Sequence, residues 1–157
     1  MGTLLSEHER TTLVDLLRVA FPHDRFPVGP YQRTALAVVD AAAGNPRLHG
    51  LLLQGLADLD TQREVGFSNL DVETAQLVLR GIADTPFFTA VLDVAIVALY
   101  DDHEVWEILG YEGPSYDKGG YIDRGFNDLD WLPDPRIESW IDSTVDSTVD
   151  SNEEAPA

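Results

Sequence analysis

The stretch from Pro86 to Tyr100 constrains this chain more than any other. Phe87, Phe88, Val91, Leu92, Val94, Ala95, Ile96, Val97, Ala98 and Leu99 leave room for one charge, Asp93. So β-branched a run also suits a buried strand. Thr85 directly ahead of Pro86 argues for a helix, because the hydroxyl can cap while the proline takes a first-turn position that needs no N–H donor. Its length points the same way. The apolar residues cover nearly the whole circumference, which predicts a central, buried helix with others around it. The run is too short, and with Asp93 too polar, to span a bilayer.

Neighbouring segments supply the other helices. Ser6 with Glu9 three residues on has the capping-box form, and Leu13, Leu16, Leu17, Ala20 and Phe21 follow at helical spacing. A first helix is expected over about residues 6–20. Pro22, Pro27, Gly29 and Pro30 then break the chain into a loop. A second helix is expected from Tyr31, with the small-residue face Ala35, Val38, Val39 and Ala42, closed by Gly44. Asn45-Pro46 opens a third, carrying Leu48, Leu51, Leu52, Leu56 and Leu59. Residues 60–67 read as a polar connection. A fourth helix starts near Asp71 with Ala75, Val78, Leu79 and Ile82. Asp101-Asp102 caps a short sixth helix with Val105, Trp106, Ile108 and Leu109, and Gly110 stops it. The expected fold class is therefore all-α, a helical bundle of about five to six helices.

Beyond residue 110 the helical period ends. Residues 110–135 hold five glycines and three prolines among Tyr111, Tyr116, Tyr121, Phe126 and Trp131. A loop this long in a small domain is usually functional or disordered, and its aromatic content argues against disorder. Tyr, Trp and Phe bury large area at small entropic cost, so they make good interface anchors. The alternative is that the loop folds back and covers its own helices. Residues 142–157 contain Asp-Ser-Thr-Val twice and no basic residue, the composition of a disordered acidic tail. The domain organisation expected is a helical domain over residues 1–141, including the loop, followed by that tail.

With 157 residues the chain suits one domain, and having no Cys it has neither disulfides nor thiolate chemistry. Its net charge of −18 repels nucleic acid and anionic membranes. A basic protein partner, a cation or plain solubility are left as its purpose. The N-terminus lacks a basic region, a twin arginine and a cleavage site, so the expected location is cytoplasmic. Gly2 with Ser6 is only a weak myristoylation pattern.

Chemistry of the chain's own finds little support. Asp101, His103 and Glu107 could present a metal from one helix face, which gives the alternative of a stand-alone metal-dependent enzyme. A single His and an acidic first turn fit ordinary helix-dipole compensation better. Asn127, Asp128, Asp130 and Asp134 lack the Gly and the bidentate Glu of a calcium loop. Asp93 could be a buried catalytic acid, but an ion pair to Arg80 or a polar helix edge is the simpler expectation. No nucleophile elbow, phosphate cradle or dinucleotide fingerprint is present. No catalytic, cofactor-binding or metal-binding residue is therefore assigned to this chain.

The motifs Leu99-Tyr100, Glu104-Val105-Trp106, Leu109-Gly110-Tyr111-Glu112-Gly113-Pro114, Gly119-Gly120-Tyr121 and Asp123-Arg124-Gly125-Phe126 occur in that order. With Phe21-Pro22, Phe67, Leu79 and Thr85-Pro86-Phe87-Phe88, they make residues 8–135 resemble the gluconate 2-dehydrogenase subunit 3 family. The resemblance implies a non-catalytic accessory subunit. Such subunits pair with a large FAD-dependent subunit of the glucose-methanol-choline type that oxidises a sugar, sugar acid or glycoside. The expectation is then a hetero-oligomer, with FAD held by the partner and none in this chain, and no nucleic-acid or membrane partner. Many members carry a twin-arginine signal; its absence here favours a complex that stays in the cytoplasm. Tyr111, Tyr116, Tyr121, Phe126 and Trp131 are the expected interface anchors, and Arg124 the expected charged contact.

Overall fold

Every expected helix forms in the computed structural model, which describes residues 5–61 and 64–120. They are α1 (Glu7–Ala20), α2 (Val28–Ala43), α3 (Pro46–Thr61), α4 (Val72–Ile82), α5 (Pro86–Tyr100) and α6 (His103–Leu109). Single 3₁₀ turns lie at Phe67–Asn69 and Tyr116–Lys118, and no strand occurs among the described residues. The fold is all-α.

Side chains at the starts explain why the helices begin where they do. The Ser6 hydroxyl accepts from Glu9 N–H at 3.3 Å, while Ser6 N–H donates to Glu9 Oε2 at 2.6 Å. Asn45 Oδ1 accepts from the N–H groups of Arg47 and Leu48, both at 3.1 Å. Asp71, Thr85 and Asp102 cap α4, α5 and α6 in the same way. Each satisfies donors that a helix start otherwise leaves without partners. Gly110 ends α6 in the left-handed region at φ 75°, where a Cβ is disfavoured.

Two expectations about element boundaries need correction. The second helix begins at Val28 rather than Tyr31, with Pro27 as its N-cap residue and Gly29 and Pro30 inside its first turn. A first-turn proline gives up no intrahelical bond, so Pro30 does not break the helix. The segment over residues 60–67 is more than a polar connection: Phe67 opens a 3₁₀ turn and is 2% exposed. Its N–H donates to Asp60 Oδ1 at 3.2 Å, which holds the turn against the end of α3.

The chain divides into two compact units, residues 1–113 and 114–157. In the first, Leu13, Leu16 and Leu17 of α1, Val38 of α2, Leu52 and Leu56 of α3, and Val91, Ala95 and Leu99 of α5 form one continuous core. The expectation that α5 is a central helix buried all round fails in part. It packs on α2, α3 and α6, yet Ile96 and Val97 on its far side are exposed. Asp93 lies on that exposed side and forms no ion pair with Arg80 among the described residues, so it is a polar helix edge. Phe87 packs closely on α3, where a Cβ at Gly55 would fall 2.1 Å from Phe87 Cγ. No single helix among the described residues is long and apolar enough to cross a membrane. In the second unit, the described residues 114–120 form the 3₁₀ turn, followed by Gly119 and Gly120 at positive φ.

Candidate docking site at the end of the bundle

The C-terminal end of α5 is gripped from two directions. The loop between α1 and α2 reaches it through His23, whose Nε2 lies 2.7 Å from the Tyr100 hydroxyl. Phe21 meets the Tyr100 ring edge-on, with centroids 6.2 Å apart, and Phe26 stacks on His23 at 4.3 Å. Tyr31, 2% exposed, donates its hydroxyl to Phe21 O at 2.6 Å and so fixes the loop from below. Arg25 donates to Ile108 O at 2.9 Å, satisfying a carbonyl that the end of α6 leaves open.

The second grip is electrostatic. Arg33, one turn into α2, donates to both Asp102 oxygens at 2.6 and 2.9 Å and to Glu104 Oε2 at 2.6 Å. The fork geometry of guanidinium matches a carboxylate bidentately. Hydrogen bonds from Arg33 hold the Asp102 carboxyl below its usual range, and those to Asp102 and Glu104 raise Arg33 above its own. Asp102 therefore does two jobs: it caps α6 and ties α6 to α2.

Trp106 sits on this base. Its indole N–H donates to Tyr100 O at 2.6 Å, and the His103 ring lies 4.6 Å away. Tyr111 stands edge-on to the indole, with centroids 5.2 Å apart and planes at 82°. A Cβ at Gly113 would come within 3.3 Å of Trp106, and Gly113 itself adopts φ 84°, so glycine is needed there twice over. Tyr111 remains 47% exposed on a fixed support.

The expected interface residues are distributed unevenly. Tyr111 is at this site. Tyr116 lies in the second unit and is 89% exposed. Tyr121, Arg124, Phe126 and Trp131 fall outside the described residues, as do Asn127, Asp128, Asp130, Asp134 and the acidic tail. Asp101, His103 and Glu107 share an open hollow of about 560 Å³ with Arg33, Asp102 and Glu104. They do not converge on a point: among the described residues no group of three or more His, Asp or Glu side chains is placed to hold a metal ion. His103 is turned to Trp106, and Asp102 and Glu104 are held by Arg33. His23, Arg25 and Arg33 escaped sequence reasoning. Their partners lie 69 to 83 residues away along the chain, and no local pattern announces such a pairing.

No protein-family model matches this chain, and no curated protein or solved structure matches it.

Proposed function

We propose that this chain is a non-catalytic accessory subunit that binds and stabilises a large FAD-dependent oxidoreductase of the glucose-methanol-choline type acting on a sugar or glycoside. The observation that carries the reading is Tyr111, about half exposed yet braced edge-on against Trp106. A rigid, partly exposed aromatic on a hydrogen-bonded base is the form of an interface anchor, since little freedom is lost when a partner covers it. The motifs that follow one another in the sequence from Leu99 to Phe126 support the choice of partner. The mechanism is linkage. A subunit that binds only the folded flavoenzyme stabilises it by about 2.7 kcal/mol when present at a hundredfold over its dissociation constant. FAD and the redox chemistry then belong to the large subunit.

Co-expression with such a large subunit tests the reading. Tyr111→Ala, and likewise Tyr121→Ala or Trp131→Ala, should weaken co-purification by roughly tenfold, the loss expected for removing one aromatic anchor. FAD content of the large subunit should fall in parallel. A chain that turns over a sugar unaided, or a complex indifferent to all three changes, would show the proposal to be wrong.

A further inference from the structure

α5 is two-sided in space although its sequence is apolar almost throughout. Phe88, Val91, Ala95 and Leu99 enter the core, at spacings of three and four residues. Asp93, Ile96, Val97 and Tyr100 are left outside at the same spacings, which places them on one stripe roughly 10 Å long. Ile96 is 52% exposed and Val97 65%. β-branched side chains at adjacent positions in water are unfavourable, and covering them would be favourable in proportion to their area.

Charge selects what can cover them. Ala98, next to Val97, borders the hollow that contains Asp101, Asp102, Glu104 and Glu107. Its one arginine, Arg33, is already committed to Asp102 and Glu104, whereas Asp101 and Glu107 form no ion pair among the described residues. Asp93 supplies a further carboxylate within the stripe and is likewise without an ion pair there. The apolar stripe is therefore flanked by carboxylates that outnumber the cations beside them: Arg47 shares a hollow with Asp84 and Asp93 at one end, and Arg33 is committed to Asp102 and Glu104 at the other. A second copy docked face to face would bring together two faces on which carboxylates outnumber arginines, in a chain of net charge −18. An anionic membrane would be repelled.

The geometry points to the outer face of α5 as a docking strip for a basic amphipathic helix of a partner protein. Its apolar residues would lie on Ile96 and Val97, and its Lys or Arg side chains would meet chiefly Asp101 and Glu107 at the C-terminal end of the stripe. This mode needs only helix-surface complementarity, with apolar anchors at one-turn spacing. It goes beyond the flavoenzyme reading and does not depend on it.

The test uses the full chain and a labelled Leu/Lys amphipathic peptide of about five helical turns, followed by fluorescence anisotropy. Val97→Asp removes an anchor while making the chain more negative. Ile96→Ser removes one with no change of charge. Leu77→Asp places the same new charge on an exposed leucine of α4. Val97→Asp and Ile96→Ser should each weaken binding about tenfold, the usual cost of losing one anchor, while Leu77→Asp stays near wild type. Circular dichroism confirms that each variant is folded. Attraction to net charge alone would instead hold or strengthen binding in Val97→Asp, and that result overturns the inference. So does a wild-type chain that fails to bind, a dimer dissolved by Val97→Asp, or wild-type binding to phosphatidylcholine vesicles that Val97→Asp abolishes. If the flavoenzyme complex forms while the peptide pattern fails, only the strip is lost. If no complex forms while the peptide pattern holds, only the flavoenzyme assignment is lost.

Discussion

Individual residues hold this protein together through placements that type alone does not announce. Gly55 is one. The Phe87 ring lies where a Cβ would be, so Gly55→Ala must push the ring or part α3 from α5. Helix propensity favours alanine by roughly 1 kcal/mol. Overpacking costs typically about 1–3 kcal/mol, and a 2.1 Å clash with an aromatic ring lies toward the upper end of that range. Chemical denaturation should therefore show net destabilisation; an increase in stability would mean the ring relocates freely. Asp102 is another. Its folded-state acidity is strengthened by Arg33, so its contribution is present above the unfolded-state pKa of about 3.9 and is lost as pH falls through the lower folded value. Asp102→Asn keeps a good helix cap and removes the charge. The variant should lose about 1 kcal/mol at neutral pH, a figure kept low because Arg33 is half exposed. The gap from wild type should close below about pH 4. Urea titrations across pH measure this, and a gap that widens in acid would contradict the assignment. The sequence showed Asp102 as a cap because capping is local. It could not show Arg33, because the pairing is made by the fold.

At the scale of elements, starts and stops were legible while contents were less so. Ser6, Asn45, Asp71, Thr85 and Asp102 stand where their caps form. These signals depend on a few adjacent residues and on backbone donors common to every helix. The start of α2 was misplaced because Pro27, Gly29 and Pro30 look like breakers, and only the first-turn position makes Pro30 harmless. The far side of α5 was misread because apolar residues all round the helix do not reveal which side will be covered. Gly110 gives a sharp prediction at this scale. At φ 75° it closes α6 and sets the direction in which the chain leaves for Tyr111. Gly110→Ala should lower stability by about 1 kcal/mol, the cost of a Cβ in the left-handed region. It should also weaken flavoenzyme binding, as a mispositioned Tyr111 would. Thermal melts and the co-purification assay read the two effects, and binding that survives intact would separate Tyr111 from the interface.

For the whole molecule, a net charge of −18 acts on a bundle in which Arg33 pairs with Asp102 and Glu104. Unscreened like charges oppose compaction. Raising salt from about 0.01 M to about 1 M shortens the screening length from about 30 Å to about 3 Å. The melting temperature should therefore rise, and a fall would mean that attractive pairs outweigh the repulsion. The sequence by itself determined the helix class, the six described helices, the capped starts of all but α2, and the acidity. Periodicity, capping and charge are properties of neighbouring residues and of composition. Only the tertiary structure decided that His23, Arg25 and Arg33 would converge on the end of α5, that Phe87 would fill the notch at Gly55, and that Ile96 and Val97 would face outward. Each of these depends on which helices lie side by side, and that follows from the packing of the entire core.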